Sequence, residues 1–201
     1  KYLSDSRRNH FTDLAGRDLG AQGVALDLTV AGTGVRVSLA ARCRVAAPAR
    51  RSADIEPDRA VETFAFPLRR GRPVAFAKCA VWFTSRDEVD PPRSAGRALR
   101  AAARVPLARL AGEHARAWRD VWRSADVRID GDARAQKALR FNLFHLASLA
   151  TTDERVSLGA KGLHGNGYRG LAFWDTEIYL LPFFLHTDPP VARSLLSYRW
   201  R

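Results

Sequence analysis

Alternation of apolar and polar residues runs through much of the first ninety positions and stops at Pro91–Pro92, beyond which apolar residues recur every three or four positions. Val24, Leu26, Leu28 and Val30 alternate with Ala25, Asp27 and Thr29. After a glycine-bearing turn at Ala31–Gly34, Val35, Val37, Leu39, Ala41, Cys43 and Val45 repeat the pattern. Two period-2 runs joined so closely predict an antiparallel hairpin with one buried face. A second pair is expected between Val61–Phe66 and Val74–Thr84, joined through Pro67–Pro73 with Gly71 at the turn. Val74–Thr84 is apolar on both faces, apart from Lys78, and is expected to lie centrally between two layers. Antiparallel strands buried on both sides argue for a sandwich.

The helical half divides at its own signals. Ser94–Arg104 is rich in alanine and arginine, with Ser94 as a candidate N-cap and Pro106 as the stop. Leu107, Leu110, His114, Trp118, Val121 and Trp122 lie on one face of an amphipathic helix. Asp132 can cap a helix over Ala133–Ala150, and Gly159–Gly170 is a glycine-rich loop. Phe173–Leu185 reads as a mostly buried helix interrupted at Pro182, and Asp188–Pro189–Pro190 opens a last one. The expected class is therefore α+β and multidomain: strands over residues 1–90, a helical linker over 91–125, and a helical region over 126–201.

Composition narrows the functional classes. The net charge of +12 invites a polyanion-binding reading, but Lys1, Lys78, Lys137 and Lys161 are the only lysines among 33 basic residues. The arginines are dispersed and often sit beside acids, as at Arg17–Asp18 and Arg119–Asp120, so no nucleic-acid partner is expected. No apolar run approaches the length of a membrane span, and Lys1–Gly20 lacks a signal-peptide centre; a cytoplasmic setting without membrane contact is expected. Cys43 and Cys79 fit that setting and are expected to be buried free thiols, although neighbouring strands could bring them together. His10, His114, His145, His164 and His186 show no metal-ligand spacing, so no metal site is expected. The chain lacks methionine and both ends read as cuts, which suggests a piece of a longer protein.

The segment Gly162–Glu177 carries the chemistry. Its loop delivers Tyr168 and Arg169, then Phe173 and Trp174, then the carboxylates Asp175 and Glu177 at a helix start. Indole plus carboxylate suits a pyranose: the ring covers the apolar C–H face, and the carboxylate accepts from two neighbouring hydroxyls. A bland alternative stands beside it. Acids in a first helical turn are favoured by the helix dipole whatever their function, and Phe173 and Trp174 could be core.

Gly162–Tyr198 resembles the signature of glycoside hydrolase family 65, in which a glycine-rich loop and Tyr-Arg-Gly lead into Phe-Trp-Asp-Thr-Glu, then Leu-Pro-Phe and Ala-Arg-Ser-Leu-Leu-x-Tyr-Arg. Upstream blocks follow the family's order. Ala77–Asp87 resembles the end of its N-terminal β-sandwich, and His114–Trp122 its linker helix. Asp126–Asp132, Gln136 and Leu139–His145 resemble the entry to its (α/α)6 barrel. The resemblance implies a β-sandwich part, a helical linker and the first helices of an (α/α)6 barrel. Members are phosphorylases of maltose, trehalose, kojibiose or nigerose, and some are hydrolases.

By the same resemblance, Trp174 and Asp175 bind the non-reducing glucose in the −1 subsite, and Tyr168 and Arg169 line the pocket. The chemistry implied is inverting: one glutamic acid protonates the glycosidic oxygen while phosphate or water attacks C1 from the opposite face. That glutamate lies in the family beyond Arg201, so no catalytic residue is assigned here, Glu177 included, and the isolated chain is expected to be inactive. Phosphate would serve as co-substrate without other cofactors, and a homodimer is expected of the full-length protein. Leu171 stands where the family commonly has histidine, and Asn166 where it has an acid. A non-catalytic carbohydrate-binding protein is the alternative reading, and a basic polyanion binder a more distant one.

Overall fold

The computed structural model describes residues 10–162, 168 and 171–201. The chain divides into two compact units, Ser6–Arg109 and Leu110–Arg201.

The first unit is built on antiparallel strands followed by a helix. Strands β1 (Phe11–Asp18), β2 (Val24–Val30), β3 (Arg36–Val45) and β6 (Phe76–Thr84) form one sheet in the order β1-β2-β3-β6, and β4 (Arg50–Glu56) pairs with β5 (Arg59–Ala65) in a second. The expected β2–β3 hairpin forms, with Leu26 opposite Leu39, but the face it buries best is the other one: Ala25, Ser38 and Ala40 are buried while Leu39 is exposed, because the helix that follows the strands packs on that side. The expected pairing of 61–66 with 74–84 does not form. β5 instead turns back on β4, and β6 runs along β3 from Val37↔Thr84 to Val45↔Phe76. The Pro67–Pro73 stretch does reverse the chain, in an isolated Arg69↔Arg72 bridge with Gly71 at φ +75°, but the pairing does not extend from it to β5 and β6. β6 is also an edge strand of its sheet and not a central one.

Helix α1 (Pro91–Ala102) covers one face of the larger sheet. Ala25, Ala40, Ala95 and Leu99 are buried there against Leu19, Cys79, Val81 and Phe83. Alanines on both sides let the helix approach closely. Its cap is Asp90, which accepts from Arg93 N at 3.1 Å, and Pro91 occupies the first turn. Ser94, the expected cap, is buried inside the helix.

The β4–β5 hairpin lies against β1 and β2. A Cβ on Gly16 would come within 2.3 Å of the Glu56 carbonyl oxygen, so only glycine allows this crossing. Arg51 ties the layers, donating to Asp18 at 2.6 Å and to the buried Glu62 at 2.8 Å. Phe64 meets Phe76 edge to face at 6.2 Å. Arg42, not Cys43, is opposite Cys79, which places the two cysteines on opposite faces. Both are free thiols, half-buried and not fully buried as expected. Burial together with the Glu62 carboxylate pushes the Cys43 thiol up from its ordinary value.

The second unit is helical. α2 (Leu107–Ala125) begins in the first unit and runs into this one, and Trp118 stacks on Phe144 of α3 (Ala133–Ala147) at 4.8 Å. α3 ends three residues earlier than its apolar face suggests. Asp132 caps it, accepting from Arg134 N and Ala135 N at 2.9 Å each. A π-turn at Thr176–Leu180 leads into α4 (Leu181–Thr187) and α5 (Pro189–Trp200). Leu158, Phe184, Val191, Ala192 and Leu195 form the core, flanked by Leu149, Leu180, Leu181 and Phe183.

The residues between α2 and α3 show why their pattern is specific. The Gln136 side chain accepts from Ile129 N at 2.7 Å and donates to the Val127 carbonyl at 3.0 Å, as a strand neighbour would. Arg140 grips Asp126 through two bonds of 2.8 and 2.6 Å, which holds the Asp126 carboxyl below the usual aspartate range. A group whose folded pKa is depressed stabilises the fold at neutral pH and loses that contribution as pH falls below about 4. Asp18 beside Arg51 and Glu56 beside Arg59 are lowered in the same way. Thermal melts should therefore fall steadily below pH 4 and stay flat between pH 6 and 8. In Asp126→Asn the acid-side slope should be shallower.

Candidate functional site

The candidate site begins where the glycine-rich loop meets the π-turn. Gly162 takes φ +54°, a conformation that favours glycine, and a Cβ there would sit 2.7 Å from Leu149 Cδ2. Tyr168 is exposed, with φ +57°, and its ring meets Phe173 edge to face at 5.4 Å. The Lys161 ammonium lies 5.7 Å from the Tyr168 ring centre. Arg169, Asn166 and His164 lie outside the described residues. Leu171 is exposed, and its N–H donates to the Tyr168 carbonyl at 2.9 Å.

Trp174 is 70% exposed. Asp175 comes next, at the N-cap position of the π-turn, half-buried, with its carboxylate making no capping hydrogen bond. The next two residues are spent on structure. Thr176 is fully buried, its hydroxyl donating to the Leu158 carbonyl at 2.9 Å. Glu177 is gripped by Arg199 of α5 through bonds of 2.6 and 3.1 Å, and Arg199 also donates to the Phe173 carbonyl at 2.8 Å. Pairing with Glu177 raises the Arg199 guanidinium above its ordinary value. Glu177 is thus held by an ion pair, whereas the Asp175 side chain makes no capping hydrogen bond.

The π-turn answers to Pro182. Proline has no N–H to donate, and its ring crowds the carbonyl four residues back. The backbone widens just upstream, where Leu181 N donates to the Thr176 carbonyl, five residues before it. The segment Phe173–Leu185 is consequently not the mostly buried helix expected. Phe184 is buried, while Trp174, Ile178, Tyr179 and Leu185 are each at least half exposed.

Arg199 was the residue hidden from sequence reasoning. It lies 25 positions after Trp174, and only its recurrence in the Ala-Arg-Ser-Leu-Leu-x-Tyr-Arg block hinted at a role. Its fork on Glu177, with the bond to the Phe173 carbonyl, fixes the backbone immediately before the indole. Glu177→Gln should release half of that grip. Expected is a melting temperature lower by a few degrees, measured by circular dichroism, with a weaker hold on the Trp174 backbone.

A family model described as glycosyl hydrolase family 65, N-terminal domain, matches residues 1–121, and one described as the family 65 central catalytic domain matches residues 140–201. The chain belongs to glycosyl hydrolase family 65. A kojibiose phosphorylase of Thermoanaerobacter brockii is 40% identical over 149 residues, 70% of this chain and 18% of that protein. A nigerose phosphorylase of Lachnoclostridium phytofermentans is 39% identical over 127 residues, 63% of this chain and 17% of its own length. An alpha,alpha-trehalose phosphorylase of Geobacillus stearothermophilus is 53% identical over 79 residues, 39% of this chain and 10% of that protein. A solved chain provisionally described as a kojibiose phosphorylase from human microbiome superposes with a TM-score of 0.76 at 20% identity, over 95% of this chain and 25% of that one. The chain thus spans about a fifth or less of the length of these curated relatives. No helix among the described residues is long and apolar enough to cross a membrane.

Proposed function

We propose that this chain supplies the glucose-recognition subsite of an inverting α-glucoside phosphorylase or hydrolase. Trp174 stacks on the non-reducing glucose and Asp175 accepts from its hydroxyls, with Tyr168 and Arg169 lining the −1 subsite. The observation that carries this reading is the contrast within three consecutive residues: Thr176 and Glu177 are tied into the fold, while Asp175 is left unspent beside an exposed indole. Nothing in the packing of the described residues of the helical unit requires that arrangement.

In this reading residues 1–90 are part of a β-sandwich, 91–125 a linker, and 126–201 the opening of an (α/α)6 barrel. The general acid, a glutamic acid, belongs to sequence beyond this chain. Inorganic phosphate is the co-substrate of a phosphorylase, no other cofactor is used, and the full-length protein is a cytoplasmic homodimer. The names of the relatives favour phosphorolysis of a glucosyl disaccharide over hydrolysis. The test is calorimetric titration of the chain with glucose, maltose, kojibiose and trehalose, then product analysis with and without phosphate. Binding without turnover is expected. Absence of binding to any of the four sugars would remove the assignment, and turnover by the chain alone would relocate the catalytic acid.

A further inference from the structure

Between the larger sheet and the first half of α1 lies a cleft of about 300 Å³ lined by Arg17, Arg93 and Arg100. Its floor is apolar, formed in part by the buried Ala25 and Ala40. Each guanidinium is placed by a different element or turn. Arg17, on β1, donates to Asp27 at 2.6 Å, and Asp27 is held in turn by a short hydrogen bond of 2.5 Å from the hydroxyl of the fully buried Ser38. Arg100, near the end of α1, donates to the Gln22 side chain at 3.4 Å. Arg93, in the first turn, uses its backbone N–H on Asp90 and has no side-chain partner among the described residues.

Arg17 is compensated by Asp27 and Asp90 also lines the cleft, so the excess positive charge rests on Arg93 and Arg100. The helix N-terminus adds no donors of its own, since Pro91 and Pro92 carry no N–H and Asp90 occupies the next one. Any anion here would be held by guanidiniums, whose planar forks match phosphate geometry. Gly96 also faces the cleft, where a Cβ would lie 3.4 Å from Arg100 Nη1, an ordinary contact distance. We propose that this cleft is a binding site for a small phosphate-bearing anion, distinct from the Trp174 segment and housed in the strand-built unit. The apolar floor suits a phosphate monoester with a compact organic part.

The test is calorimetry on the whole chain with inorganic phosphate and with glucose 6-phosphate. Arg93→Gln/Arg100→Gln is compared with Arg69→Gln/Arg70→Gln, which removes the same charge from the exposed 67–73 turn. Saturable one-site binding is expected, weakened at least tenfold in the first double variant and less than twofold in the second. Tighter binding of glucose 6-phosphate than of phosphate identifies a monoester as the ligand; equal binding identifies free phosphate. No saturable binding of either, or equal weakening in both double variants, overturns the proposal. All four replaced residues are exposed, so matching melting curves will show that folding is not the cause.

Discussion

Trp174→Ala is expected to weaken glucose binding by at least about 30-fold, a loss of about 2 kcal/mol, without lowering the melting temperature. The two halves of that result come from one observation. At 70% exposure the indole contributes little to the packed core, so its removal leaves no cavity. The same exposure leaves its face open to the C–H surface of a pyranose. Asp175→Asn should act by a different route. It keeps the shape but removes the charge that makes a carboxylate a strong acceptor for sugar hydroxyls, at a cost of about 1.5–3 kcal/mol in binding. Because the Asp175 side chain caps nothing, stability should again hold. A calorimetric titration beside a thermal melt checks both. If either variant melted well below the parent, the residue would belong to the fold, and the sugar reading would lose its support.

Phe184→Ala should show the opposite profile. Its ring is 1% exposed, surrounded by Leu158, Val191, Ala192 and Leu195. Truncating a buried phenylalanine typically costs about 3–5 kcal/mol, from lost transfer energy and from the cavity left behind. That is a large share of the roughly 5–15 kcal/mol typical of a domain, so α4 and α5 should lose their fixed packing. Phe141→Ala is the control: the ring is 62% exposed on α3, and its loss should cost well under half as much. Urea titration monitored by far-ultraviolet circular dichroism separates the two. Equal midpoints for both variants would mean that the cluster around Phe184 is not the core of this unit.

The periodic elements were the legible ones. The β2–β3 hairpin and α2 each carry one clean period, which marks the element but not its burial: Ala25 and Ala40 are buried while Leu39 is exposed, and Leu107, Leu110 and Val121 of α2 are exposed. β1 and β4 escaped because Phe11–Asp18 and Arg50–Glu56 contain few apolar residues and draw their stability from pairing and from Arg51. The partner of β6 was misjudged for a different reason. Alternation marks a strand and says nothing about which strand lies alongside, and β5 pairs with β4, a strand with few apolar residues. At the candidate site, the residue types of Trp174 and Asp175 were readable together with the chemistry they suit. Their freedom from structural duty was not, because it depends on Arg199 claiming Glu177 and on Leu158 claiming Thr176.

The widened turn at Thr176–Leu180 has a mechanical consequence. Each residue of a regular helix advances the side chains by about 100°, so one additional residue per turn resets the phase between the side chains on its two sides. The buried ridge of α4 and the outward-facing indole are thereby geared separately. Deletion of a single residue between Trp174 and Phe184 would turn the indole by roughly a quarter of a revolution relative to that core.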